Sequence, residues 1–452
     1  MEETSAKRPS GMFGFTIVWL GQIVSVLASA MSGFGLSIWM FQQTKSATAM
    51  GLMQVSYILP FLLLSPIAGV MVDRHNRKLM MMVSDFAAVT ATFAILALQA
   101  TGHLQFWHLY VANVLYGLGN TFQWPAYSAA ISTMIPKEQY GRANGLMALL
   151  EAGPGVLAPI LAGAVLATSQ TNGLTIILTI DVLTFFIALG ALAVVHVPQP
   201  QKTVEGQKEG GSIWSEAAYG FTYIFKRPSL LGLQMIFFFG NLFSGIGFTV
   251  FAPMILLRTD SNTVIFGAVN TAMAVGGVVG GLIMSAWGGF KKRTHGVLGG
   301  YIAAYVFVLL FGFSTTLAFW IPFIFIQAMI SPLINASNQS IWQAKVAPDI
   351  QGRVFSARRL IAWFTQPIAP IIAGLMADKW LEPSMTSGTT NLAHTFSSWV
   401  GTGPGSGMAL LFIFAAIGPI FVGLIGYFIP FIRNAETILP DHDQLQKVEV
   451  AK

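Results

Sequence analysis

Between Gly69 and Lys78 the chain reads Gly-Val-Met-Val-Asp-Arg-His-Asn-Arg-Lys, which sets one carboxylate, Asp73, beside the fixed positive charges of Arg74, Arg77 and Lys78. A carboxylate there can sit against an arginine or a helix N-terminus. Charge is scarce elsewhere, since Asp, Glu, Lys and Arg make up 9% of the 452 residues. Three more acids, Asp85, Glu151 and Asp181, stand inside long apolar runs. An ionisable side chain is expensive there and marks function by default. A carboxylate withheld from water can exchange a proton nearer neutral pH than one in solution, so these acids are candidates for proton coupling. Two of them have a plainer role too: Asp85 could pair with the arginines that precede it, and Asp181 could anchor the outer rim. Glu151 stands just before Gly153-Pro154-Gly155.

The elements that must position these groups follow from composition. With 54% hydrophobic residues the chain is far too apolar for a soluble globular protein. Runs of about 20 apolar residues can each cross a bilayer as a helix. Twelve are expected, at 13–41, 47–71, 79–99, 106–134, 143–168, 174–197, 229–257, 263–287, 295–314, 317–344, 355–377 and 408–431. The fold class is therefore an all-α polytopic membrane protein. The first residues, with Lys7 and Arg8, lead straight into a spanning run, so no cleaved leader is expected. With the N-terminus inside, only Lys45, Arg258 and Lys379 of the 24 basic residues fall outside, and 24 less 3 leaves 21 on the cytoplasmic side. Both termini are expected there. The net charge of +6 reads as topology and attraction to anionic lipid, not as nucleic-acid binding.

Other chemistry is excluded by what the chain lacks. It has no cysteine, hence no disulfide or thiolate metal site. His103, His108, His196, His295 and His394 fall near span ends or in loops, without metal-ligand spacing. No phosphate-cradling Gly-Lys-Ser loop is present, so ATP is not the expected energy source. No arrangement of Ser, His and Asp suggests a nucleophile. Neither a cofactor, a metal nor an enzymatic activity is expected.

The chain repeats itself at an offset of 211 or 212 residues. Ser32-Gly33-Phe34-Gly35 meets Ser244-Gly245-Ile246-Gly247, Gly141-Arg142 meets Gly352-Arg353, and Ala158-Pro159-Ile160-Leu161-Ala162-Gly163 meets Ala369-Pro370-Ile371-Ile372-Ala373-Gly374. This is a duplicated six-helix unit, an architecture that places a substrate site near the bilayer midplane. The expected organisation is an N-terminal bundle at 1–197, a cytoplasmic linker with an amphipathic helix at 198–228, a C-terminal bundle at 229–433 and a cytoplasmic tail at 434–452. In the second copy, Trp287-Gly288-Gly289-Phe290-Lys291-Lys292-Arg293 keeps the basic charge of the loop and loses the acid. Uncharged polar residues in the runs are candidates to line a cavity: Gln22, Asn113, Asn120, Gln123, Trp124, Asn241, Asn270, Asn335, Asn338 and Gln339. Each is also explicable as an interhelical hydrogen bond.

The Gly-x-x-x-Asp-Arg-x-x-Arg-Lys pattern at Gly69 resembles the signature loop between helices 2 and 3 of the major facilitator superfamily. Trp19-Leu20-Gly21-Gln22, Tyr140-Gly141-Arg142-Ala143-Asn144-Gly145-Leu146 and the stretch from Ala377 to Gly407 make the chain similar to its macrolide-efflux and siderophore-exporter branch. The resemblance implies two pseudo-symmetric six-helix bundles in a bacterial inner membrane, acting as a monomer by alternating access. It implies a cytoplasmic gate drawn from Gly69, Asp73, Arg74, Arg77, Lys78, Arg142, Arg353, Arg358 and Arg359, in which Asp73 binds one of the last three arginines when the inside is closed. It further implies export of a hydrophobic or amphipathic molecule, a drug, siderophore or metabolite, in exchange for protons. Many members of that branch carry an acid in helix 1 near the position of Ala28 or Ser29, and this chain does not. Two other functions fit the sequence: a lipid or lysophospholipid flippase of the same fold, and a non-transporting membrane sensor or scaffold.

Overall fold

A computed structural model describes residues 9–44, 47–169, 172–200, 212–260 and 262–444. Lys7, Arg8, Lys45, Lys202, Lys208, Lys447 and Lys452, and much of the 198–228 linker, lie outside the described residues. All regular structure among the described residues is helical. The first half holds α1 (Gly11–Thr44), α2 (Ala47–Arg74), α3 (Arg77–Ala100), α4 (Phe106–Met134), α5 (Tyr140–Thr168) and α6 (Gly173–Val194). The linker contributes the amphipathic helix α7 (Ile213–Phe225). Then come α8 (Pro228–Arg258), α9 (Thr263–Trp287), α10 (Arg293–Phe313), α11 (Leu317–Lys345), α12 (Gln351–Trp363) and α13 (Thr365–Met376). After a π-helical turn at Ala377–Leu381 follow α14 (Glu382–Thr386), α15 (Asn391–Val400), α16 (Ser406–Phe428), α17 (Pro430–Arg433) and α18 (Ala435–Ile438).

Backbone groups have no water to bond in a bilayer, so long apolar runs satisfy them as helices. The eleventh expected run is divided between α12 and α13, where Pro367 has no N–H to return to the preceding turn. The twelfth stops at Phe428, because Ile429 precedes Pro430 and takes extended backbone angles. Eleven helical stretches among the described residues are long and apolar enough to cross a membrane. The remaining expected run, the fourth, forms α4, which has the length, with 29 residues, but carries His108, Asn113, Asn120, Thr121, Gln123 and Ser128. Polarity rather than length keeps it off that count.

The chain divides into two compact units. The first comprises Met1–Tyr223, Val346–Ala357 and His442–Lys452, and the second Ile224–Lys345 and Arg358–Asp441. The segment 346–357 thus belongs to the first unit although it lies late in the sequence. Within the first unit α1 packs on α5 and α6, α3 on α4 and α6, and α2 on α4. Within the second, α8 packs on α13 and α16, α10 on α11 and α16, and α9 on α11. These are the same five pairings, shifted by one six-helix repeat. The repeated Ala-Pro-Ile motif does one job in both: Ala158 and Ala162 join the cluster with Met31 of α1, and Ala369 and Ala373 join the one with Ile246 of α8. Small residues let membrane helices approach closely, which is how such contacts gain their dispersion energy.

Candidate functional site

Within the first unit, the end of α2 is tied to the start of α12 by Asp73. Asp73 stands in the last turn of α2, with 1% of its side chain exposed. Its Oδ1 accepts the backbone N–H of Gly352 at 2.7 Å, and its Oδ2 accepts that of Arg353 at 2.9 Å. The Arg353 guanidinium adds a third bond, Nε to Oδ2, at 3.2 Å. Gly352 and Arg353 are the second and third residues of α12, whose first N–H groups have no partner of their own. A carboxylate at a helix start satisfies those donors and the positive end of the helix dipole together, worth up to about 2 kcal/mol when partly buried. Such proximity needs glycine on both sides. A Cβ on Gly69 would meet the Gly352 carbonyl oxygen at 2.3 Å, and one on Gly352 would meet the Gly69 oxygen at 2.4 Å.

The basic residues of the loop divide the rest of the work. Arg77 is fully buried; it donates to the carbonyl of Ala129 at 2.7 Å and to that of Pro348. Lys78 donates to the carbonyls of Ala193 and Val195 at 2.8 and 2.9 Å, neutralising the negative C-terminal end of α6. Arg74 makes a two-pronged pair with Glu216 of α7, at 2.7 and 3.2 Å. Glu216 is 4% exposed and also lies 3.5 Å from Arg353, which stacks over the ring of Tyr219. Among the three expected arginine partners, Arg353 is the one that meets Asp73. Arg358 instead donates to Gln339 and covers the Trp342 ring, and Arg359 covers Trp363, all within the second unit. Arg142 is exposed on α5, outside this group. The sequence reading missed Glu216, the sole acid of α7, and the Gly352 partner of Gly69; the repeat that aligns Gly141-Arg142 with Gly352-Arg353 was the available signal for the latter.

Two of the three acids inside the spans are buried: Asp85 at 8% and Asp181 at 3% exposure. Asp85 on α3 accepts Gln22 of α1 at 2.8 Å and Gln123 of α4 at 2.7 Å, while Gln123 also donates to Gln22 at 3.1 Å. Amides, not the loop arginines, surround it. Asp181 on α6 accepts Ser29 of α1 at 2.7 Å and Thr92 of α3 at 3.2 Å, and Thr92 in turn shares a hydrogen bond with Tyr116 of α4. Asp181 thus meets α1 at Ser29, near where the resemblance would place an acid. Glu151 is exposed on α5 and accepts the Trp124 indole N–H at 3.1 Å.

The remaining polar candidates fall in both units. Asn120 donates to the Tyr57 hydroxyl at 2.8 Å, and Asn113 is half-buried on α4. In the second unit Asn241 donates to the Ala362 carbonyl at 3.4 Å, Asn338 accepts the Trp342 indole at 3.1 Å, Asn335 is exposed, and Asn270 bonds its own helix at Phe266. The bonds of Asn120 and Asn241 tie helices together, the plainer of the two roles the sequence allowed, while those of Asn270 and Asn338 stay within their own helices.

Twice six membrane-length helices with one scheme of packing, ionisable groups held inside the spans and a charged cluster at the end of α2 define a multi-pass membrane protein. The chain belongs to the major facilitator superfamily, whose family model, described as Major Facilitator Superfamily, matches residues 18–370. Macrolide efflux protein A of Streptococcus pyogenes is 26% identical over 377 residues, covering 81% of this chain and 89% of its own. The multidrug efflux pump Tap of Mycolicibacterium fortuitum is 24% identical over 377 residues, covering 79% and 90%. Among solved structures, the fucose:proton symporter of E. coli superposes with a TM-score of 0.64 at 12% identity, over 92% of this chain and 99% of its own. The family and these relatives make the chain a transporter of the facilitator fold.

Proposed function

We propose that this protein exports a hydrophobic or amphipathic small molecule, of the macrolide, siderophore or metabolite kind, in exchange for protons. In this reading it works as a monomer in the bacterial plasma membrane with both termini in the cytoplasm. The observation that carries proton coupling is the pair of buried carboxylates, Asp85 and Asp181, whose hydrogen-bond partners are all neutral. A buried carboxylate without a fixed cation is left with an uncompensated charge, and a proton or a cationic cargo is what cancels it. Relatives that are efflux proteins supply the direction and the cargo class.

The latch supplies the mechanical step. While Asp73 holds the start of α12, segment 346–357 stays on the first unit. Its release gives a second state, and each 1.4 kcal/mol, about, moves that balance tenfold, so a proton and a cargo with opposite preferences can drive the cycle. The test is accumulation of ethidium and of a radiolabelled macrolide in a pump-deficient bacterium making this chain, with and without a protonophore. Lower accumulation that the protonophore restores is the expected result. Unchanged accumulation of both cargoes sinks the drug-export reading, and export indifferent to the protonophore sinks the coupling.

A further inference from the structure

Six of the residues around the buried acids fall into three pairs with one spacing. Gln22 and Ser29 are seven apart on α1, Asp85 and Thr92 seven apart on α3, and Tyr116 and Gln123 seven apart on α4. Seven residues are close to two turns, so each pair shares a helix face, about 10 Å apart along the axis. The result is two polar layers bridging α1, α3 and α4, the second joined by Asp181 of α6. The layer of Gln22, Asp85 and Gln123 holds one acid, and the layer of Ser29, Thr92, Tyr116 and Asp181 holds the other.

The layers differ in chemistry. In the first, both oxygens of Asp85 accept N–H groups, and Gln123 uses its second N–H on the Gln22 carbonyl oxygen. That ring is complete for an ionised carboxylate. Adding a proton would turn one Asp85 oxygen into a donor facing a donor, and an amide would have to turn around. The second layer is made of hydroxyls, which both donate and accept. With Asp181 ionised, Thr92 donates to it and accepts from Tyr116. With Asp181 protonated, the carboxyl donates to Thr92, which still accepts from Tyr116 and turns its own hydrogen to the Ala88 carbonyl, 3.3 Å away. Thr92 is paired in either state. Ser29 and Tyr116 are half-buried. The other groups facing the acids are Tyr127 beside Asp85 and Ser32 beside Asp181, neither of them charged.

We infer that the two layers divide proton coupling between them: Asp181 binds and returns the proton through its hydroxyl shell, while Asp85, held by two amides, remains a fixed negative charge. The inference rests on the proton-coupled reading above. In the step itself one proton adds to a carboxylate oxygen of Asp181 and later leaves from it, and no other bond changes.

The test uses the full chain in proteoliposomes with a pH-sensitive dye inside, and ethidium or a radiolabelled macrolide as cargo. For the unaltered protein, cargo movement is accompanied by proton movement. Asp181→Asn is expected to lose cargo-driven proton movement by tenfold or more while still exchanging labelled for unlabelled cargo at equilibrium, which also shows that it folds. Asp85→Asn is expected to slow transport but keep the ratio of protons to cargo. Thr92→Val, which removes one hydroxyl with little change of volume, is expected to keep that ratio and displace the pH of half-maximal transport. An Asp181→Asn protein that still couples protons, or an Asp85→Asn protein that alone uncouples them, overturns the division. Absence of proton movement in the unaltered protein overturns the proton-coupled reading and this inference with it.

Discussion

Asp73 takes three hydrogen bonds on two oxygens, and a carboxamide in its place keeps one oxygen that can accept. Hydrogen bonds to a charged group contribute about 1.5–3 kcal/mol. Asp73→Asn should therefore shift the latch balance about tenfold to a hundredfold toward release. Because the chain has no cysteine, a single Ser356→Cys can report it. Ser356 is buried, its carbonyl is bonded by Ser65 at 3.4 Å, and thiol labelling there should rise sharply in the Asp73→Asn background while transport falls. Unchanged labelling would mean that Asp73 does not hold segment 346–357. Glu216→Gln should act in the same direction, since Glu216 faces both Arg74 and Arg353. The two effects should not add, because both acids share Arg353. Asp73 was legible in the sequence from the density of charge around it. Glu216 was not, since one acid on an amphipathic helix has the pattern of an ordinary solvent-facing residue.

Elements explain what single residues do not. The α2–α12 contact is backbone against backbone, so Gly352→Ala must push either the Gly69 carbonyl or the Asp73 carboxylate away. Loss of transport of tenfold or more is expected with normal membrane insertion, and wild-type transport would show that the contact can open to admit a methyl. α4 poses a different problem. Its polar residues bond neighbours: Gln123 to α1 and α3, Asn120 to Tyr57 of α2. Isolated as a single test span, α4 should insert into a membrane less well than α6, which carries one acid in an otherwise apolar run. Equal insertion would mean that its polar residues are not costly. Helix positions were legible because a bilayer demands about 20 apolar residues from each span. The seven-residue pairing of Gln22 with Ser29, Asp85 with Thr92 and Tyr116 with Gln123 escaped notice because it becomes a pattern only once α1, α3 and α4 are known to be neighbours.

At the scale of the molecule, the five helix pairings that recur in each unit were foreshadowed by the duplicated Ala-Pro-Ile-x-Ala-Gly and Gly-Arg motifs. The assignment of segment 346–357 to the first unit was not, because no local pattern records a tie between residues 280 positions apart, as Asp73 and Arg353 are. The tail adds a pH argument. Burial pushes the Asp443 carboxyl up, but the hydrogen bond and charge of Lys137 outweigh it and hold it below its ordinary value. A group lowered in this way stabilises the fold above its unfolded value, about 3.9, and loses that contribution only as pH falls through the folded value. The Lys137–Asp443 pair should therefore be intact and constant from pH 5 to 8, roughly. Lys137→Ala should leave the shape of the transport pH profile in that window unaltered, and a changed profile would assign pH sensing to the tail.

The glycine pair at Gly69 and Gly352 touches through main chain alone, and no side chain of the polar layers joins it. The polar layers and this close helix contact are thus written at separate codons. A lineage can then alter residues of the polar layers one substitution at a time and leave the glycine contact as it was inherited.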